Sequence, residues 1–131
     1  MSRTLVIDAS VVVDLLGRFR PAPIESLLFA PEARLAAPAL LDIEVLQALR
    51  RLDQNGAIPT SRSDLIESLR ALRIRRYPHD ILLDDIWALP HNVTAYDAAY
   101  VALARQLDAT LVTRDACLAA APGLGIEVAT P

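Results

Sequence analysis

The sequence predicts an α/β fold with a parallel sheet covered on both faces. Short strand-like runs alternate with amphipathic helical runs along the chain, the pattern of repeated βα units. The strand-like runs are continuously apolar rather than alternating, as strands buried on both faces are. At 131 residues the chain reads as a single domain, 1–131, long enough to bury a core without disulfides.

Each element has a local reason. "TLVID" (4–8) is a compact β-branched run that ends in an acid. "SVVVDLLG" (10–17) reads as a short helix with Ser10 as N-cap and Gly17 at its stop. "PIESLLFA" (23–30) is a second short helix with Pro23 in its first turn. "RLAAP" (34–38) is a strand ended by Pro38. The long helix spans 39–56: Leu41, Val45, Leu49 and Leu52 share one stripe and Asn55-Gly56 close it. A loop over 52–61 leads to a helix over 61–73, capped by Ser61 or Ser63, and "IRRY" (74–77) is a short strand. A helix over 79–89 is stopped by Pro90. The helix that starts at "TAYDAAYVALA" (94–104) packs through Tyr96, Tyr100, Leu103 and Leu107, with Asp97 at the edge of that side. "ATLVT" (109–113) is a strand, "DACLAAAP" (115–122) a short helix and "GIEVAT" (125–130) a last strand.

Composition removes several function classes. Apolar residues make up 53% of the chain, yet charge-free runs reach only about 11 residues against the roughly 20 needed to span a bilayer. No basic-then-apolar leader opens the chain. The expectation is a soluble, cytoplasmic protein with no membrane partner. The one cysteine, Cys117, offers neither a disulfide nor a zinc spacing, and is expected to be a small buried residue near a helix start. His79 and His91 have nothing that ties them together, which argues against a histidine acid–base pair. All 13 basic residues are arginine, so Schiff-base chemistry and a P-loop lysine are excluded within this chain.

Four acids sit in positions that invite explanation. Asp8 and Asp115 each follow a strand and precede a helix, at the strand ends where parallel α/β sheets bind ligands. Glu44 lies in the first turns of the long helix, off its leucine stripe; Asp42, two residues away, faces nearly the opposite direction. Asp97 stands three residues after Thr94, as in a capping box. Each acid alone could be a helix cap or an exposed side chain. Together, at two strand ends and two helix starts, they suggest one site. Clustered carboxylates raise one another's pKa values, and hard divalent cations remove that cost. All-carboxylate metal sites suit phosphodiester chemistry, in which the metal acidifies the attacking water and neutralises charge at phosphorus.

The segments "LVIDASVVVDLL", "PALLDIEVLQALRR" and "TAYDAAYVALARQLDATLVTRD" resemble the PIN-domain nucleases, and within them the VapC toxins of bacterial and archaeal toxin–antitoxin pairs. The resemblance runs over about residues 4–130, and its closing segment is the most specific part. It implies a three-layer α/β/α sandwich with a five-stranded parallel sheet in order 3-2-1-4-5. It implies an endoribonuclease dependent on Mg²⁺ or Mn²⁺, leaving 5′-phosphate and 3′-hydroxyl ends. Asp8, Glu44, Asp97 and Asp115 match the family's catalytic, metal-binding acids, with Ser10 and Thr113 in supporting positions. Where some members carry a further acid, this chain has Cys117 and Leu118.

The resemblance also implies an RNA substrate, a homodimer and an inhibitory VapB-type antitoxin. The net charge of −3 leaves arginines to grip phosphate; Arg50, Arg51, Arg73, Arg75, Arg76 and Arg114 are candidates, and Arg114 is nearest the site in sequence. Two alternatives stay open from sequence: a PIN nuclease of RNA processing without an antitoxin, and a non-catalytic RNA- or protein-binding module.

Overall fold

A computed structural model describes residues 2–58 and 61–131. The strands are β1 (Arg3–Ile7), β2 (Ala33–Pro38), β3 (Ile74–Tyr77), β4 (Thr110–Val112) and β5 (Val128–Ala129). They form one sheet in order β3-β2-β1-β4-β5, and every neighbouring pair is parallel. Fold class and strand order are those expected.

The helices are α1 (Ala9–Leu16), α2 (Pro21–Leu28), α3 (Leu41–Gln54), α4 (Arg62–Ala71), α5 (Leu83–Ala88), α6 (Ala95–Gln106) and α7 (Ala116–Ala120). Helices α1 to α4 pack against one another, while α6 lies across β1, β2 and β4 and carries α5. The chain leaves β1 in one direction through β2 and β3, then returns to β4 on the other side of β1. Right-handed crossovers therefore put the two helix groups on opposite faces. The core is built from Leu5, Val6 and Ile7 of β1, Val11 and Val12 of α1, Leu41 and Val45 of α3, and the whole run Ala98–Ala104 of α6.

Several local expectations are corrected. Asp8, not Ser10, caps α1, accepting from the backbone N–H groups of Ser10 and Val11. Gly17 ends that helix in a right-handed conformation, φ −78°. A Cβ there would meet the far edge of the partly exposed Phe19 ring, which would have to turn aside. α2 starts two residues early, at Pro21, whose fixed φ suits a first turn. The helix expected over 79–89 is a 3₁₀ turn, His79–Leu82, followed by the short α5. Of the 52–61 loop, Pro59 and Thr60 lie outside the described residues. Ser61 rather than Ser63 caps α4, through the Asp64 N–H at 3.3 Å. Tyr96 is 66% exposed rather than packed. Cys117 is exposed, not buried. No helix among the described residues is long and apolar enough to cross a membrane.

Candidate active site

The strand order reverses between β1 and β4, and the carboxyl ends of these two strands open the crevice in which α/β sheets place their ligands. Asp8 follows β1 directly, and Thr113, Arg114 and Asp115 follow β4. The Asp8 N–H bonds the Val112 carbonyl at 3.1 Å, so the two strand ends are stitched together at the site.

Asp8 is the fixed point. It is 5% exposed, and both oxygens are engaged. Oδ1 accepts from the Ser10 hydroxyl at 2.5 Å and from the backbone N–H of Ser10 at 3.0 Å. Oδ2 accepts from the Thr113 hydroxyl at 2.5 Å. Each hydroxyl in turn accepts a backbone N–H from the β4–α7 turn: Arg114 N–H to Ser10 at 2.9 Å, and Asp115 N–H to Thr113 at 2.9 Å. An amide N–H can only donate. Both hydroxyl protons therefore remain for Asp8, which is held as an acceptor. Burial pushes the Asp8 carboxyl above its ordinary range, and the hydroxyls and amides oppose that push. Ser10 and Thr113 are the side chains that aim it.

Asp115 caps α7, with Oδ1 accepting from Cys117 N–H at 2.9 Å and Leu118 N–H at 3.2 Å. Asp97 lies in the first turn of α6, whose start is held by Thr94: the Asp97 N–H donates to the Thr94 hydroxyl at 3.1 Å. The Asp97 pKa is raised by burial and then by the negative charge of Asp115.

Glu44, on α3, accepts a hydrogen bond from the Tyr100 hydroxyl at 2.6 Å. Burial raises its pKa, Tyr100 counters, and the charges of Asp97 and Asp8 raise it further. Asp42 goes the other way, as two residues of helix require. Arg76 of β3 holds it in a two-pronged pair, at 2.8 and 2.9 Å.

Charge links three pairs of these acids: Glu44 feels Asp97 and Asp8, and Asp97 feels Asp115. Among the described residues, no group of three or more acids, histidines or cysteines stands in an arrangement that could hold a metal ion. The donor chemistry nonetheless suits a hard divalent cation: it is all-oxygen and acid-only, and like charge helps to raise the Glu44 and Asp97 carboxyls.

Arg114 corrects an expectation. Its guanidinium turns into the protein, its side chain 6% exposed beside Asp14. Nη1 donates to Asp14 at 3.1 Å and to the Phe19 carbonyl at 2.8 Å, Nη2 to the Arg20 carbonyl at 2.7 Å and Nε to the Pro131 carbonyl at 2.8 Å. These bonds consume the fork that was expected to hold RNA phosphate. Arg76 is likewise engaged, by Asp42. Arg50, Arg51, Arg73 and Arg75 remain exposed.

Sequence reasoning placed Tyr100 only as a packing residue and passed over Asp14. The signal for Tyr100 was its place three residues after Asp97, on the same side of the helix, as the one hydroxyl in a run of alanine, valine and leucine.

The model of the PIN domain family matches residues 5–124 of the chain. The chain belongs to the PIN-domain family. Within that family it is 44% identical to Ribonuclease VapC1 of Mycobacterium tuberculosis over 125 residues, 94% of each protein. It is also 40% identical to Ribonuclease VapC9 of the same organism over 117 residues, 85% of each. In three dimensions this PIN chain resembles PAE2754 from Pyrobaculum aerophilum, with a TM-score of 0.59 and 23% identity, covering 92% of this chain and 86% of that one. That likeness supports the fold. The region matched by the family model contains Asp8, Glu44, Asp97 and Asp115.

Proposed function

We propose that the chain acts as one PIN domain, a VapC-type toxin ribonuclease that hydrolyses RNA phosphodiester bonds at the β1–β4 crevice with Mg²⁺ or Mn²⁺. What supports this reading is the placement of four carboxylates just after β1 and β4 and in the first turns of α3 and α6, in a chain 44% identical to a VapC ribonuclease.

Asp8, Glu44, Asp97 and Asp115 would hold the cation. When bound, it supplies Lewis acidity toward a water and toward the phosphate. The chain's own contribution is geometric. Ser10 and Thr113 fix Asp8 as an acceptor, the two helix caps fix the backbone of Asp97 and Asp115, and Tyr100 holds Glu44. With water as nucleophile the RNA 2′-hydroxyl has no covalent role, so products carry 5′-phosphate and 3′-hydroxyl ends.

A VapB-type antitoxin is the proposed inhibitor. A groove of about 1250 Å³ runs between α1, α2 and α4 over the β2–β3 edge, with an apolar floor that includes Leu28, Leu35, Leu65 and Leu72. Arg18, Arg34, Arg73 and Arg75 line it against a single acid, Glu25, which favours an acidic, amphipathic segment as occupant. A homodimer is proposed on the family resemblance; the exposed Leu83 and Trp87 of α5 offer apolar surface for it.

The test is cleavage of total tRNA and ribosomal RNA by the partner-free protein with Mn²⁺. Cleavage should stop with EDTA and in Asp97→Asn, and should be blocked by the antitoxin encoded beside it. Cleavage that persists in both EDTA and Asp97→Asn overturns the metal-nuclease reading. Failure to cut any RNA on a broad panel favours the non-catalytic module.

A further inference from the structure

We propose that Tyr100 is a positioning residue: its hydroxyl fixes the Glu44 carboxylate and thereby sets the spacing between the acid of α3 and the acid of α6. This rests on the metal-nuclease reading above.

The four acids are held very unequally. Asp8 has hydrogen bonds on both oxygens, and Asp115 is held as a helix cap. Asp97 is carried by the rigid first turn of α6. Glu44 stands on a longer, more flexible side chain, and the only hydrogen bond to its carboxylate among the described residues comes from Tyr100. Among the described residues no arginine pairs with it, and Arg76 of β3 is spent on Asp42. At 2.6 Å the contact has the length of a charge-assisted O–H···O⁻ bond.

Tyr100 is built to hold that position. Its ring is 1% exposed, within the buried run of α6. Packing alone would be served by phenylalanine, and burying a hydroxyl is costly unless it is bonded. A phenol keeps its proton near neutral pH, so it can donate to the carboxylate. Because Tyr100 and Asp97 are three residues apart on one helix, the bond ties Glu44 to the element that carries Asp97. It occupies Oε1 and leaves the second oxygen of Glu44 for a ligand.

The experiment is a Mn²⁺ titration of the partner-free protein by calorimetry, without RNA, on wild type, Tyr100→Phe, Glu44→Gln and Asp97→Asn. Thermal unfolding in EDTA runs alongside. Tyr100→Phe keeps the ring and the core it fills. Its Mn²⁺ affinity should fall roughly 10- to 100-fold, as for other groups that orient a metal ligand. In the Glu44→Gln background, Tyr100→Phe should add little further loss. A Tyr100→Phe protein with lowered thermal stability and unchanged Mn²⁺ affinity overturns the proposal, because Tyr100 then only stabilises the fold. So does Glu44→Gln with unchanged affinity, which leaves Tyr100 nothing to position. If wild type and Asp97→Asn bind Mn²⁺ equally, the metal-nuclease reading falls instead.

Discussion

Replacing Arg114 by methionine separates a structural latch from an RNA grip. The guanidinium bonds Asp14 and three backbone carbonyls, those of Phe19, Arg20 and Pro131. Two of these carbonyls belong to the α1–α2 turn, where Arg18 (φ 64°) and Arg20 (φ 46°) are left-handed without being glycine, a conformation that costs about 1–2 kcal/mol per residue. Breaking a fully buried ion pair costs about 3–5 kcal/mol. Asp14 is 29% exposed and would recover some water, so about 2 kcal/mol is the fitting share for the pair. The carbonyls that lose a charged donor add about 1 kcal/mol after rehydration. Arg114→Met should therefore lower stability by about 3 kcal/mol. With an unfolding entropy of about 2.1 cal/mol/K per residue over 131 residues, Tm should fall by about 11 °C. Urea and thermal unfolding measure this. RNA binding is measured beside it by anisotropy against salt, in an Asp97→Asn background, and the salt slope should not change. A stability loss below about 0.5 kcal/mol with a slope reduced by about one phosphate contact would falsify the latch.

Two further outcomes follow from the same geometry. Asp8, Glu44 and Asp97 all have carboxyls raised above their ordinary range, so the folded state holds their protons more tightly than the unfolded chain does. Their favourable contribution is complete below about pH 4, where free carboxyls protonate, and is lost as pH rises through the raised values. In EDTA, Asp97→Asn should then unfold at higher urea than wild type at pH 7, with the gap closing toward pH 4; a gap that widens on acidification has the wrong sign. Asp42→Asn breaks a pair whose side chains are about one-third exposed, so its cost should be about 1 kcal/mol. Its Mn²⁺ affinity in calorimetry should stay near wild type, since the Asp42 carboxylate faces Arg76; a loss matching that of Glu44→Gln would mean that Asp42 serves the acid cluster.

The acids were legible because backbone periodicity fixes where they emerge. Asp8 and Asp115 end strands that neighbour each other, and a two-residue step on α3 sends Asp42 and Glu44 apart whatever surrounds them. The strand runs and the stripe of α3 were legible for the same reason. What misled were side chains whose fate depends on distant partners. Arg114 looked free because nothing near it in sequence says that Asp14 and the turn after α1 will close over it. Tyr96 looked packed because a helical wheel cannot tell how much of a surface the sheet covers. Cys117 was taken for an apolar filler, but α7 is too short to bury more than one side, and Leu118 takes that place.

The tie between Thr113 and Asp8 spans 105 residues of sequence, and it sits where β1 meets β4. Contacts of such separation form late, because the intervening chain must first be closed into a loop. On a ribosome, β1, α3 and α6 emerge and can fold while the acid site still lacks one wall. The crevice comes into being only when β4 and the turn after it have left the exit tunnel and docked. A chain interrupted before Thr113 carries three of the four acids and lacks the hydroxyl that holds Oδ2 of the first. The crevice is thus among the last parts of the fold to be assembled.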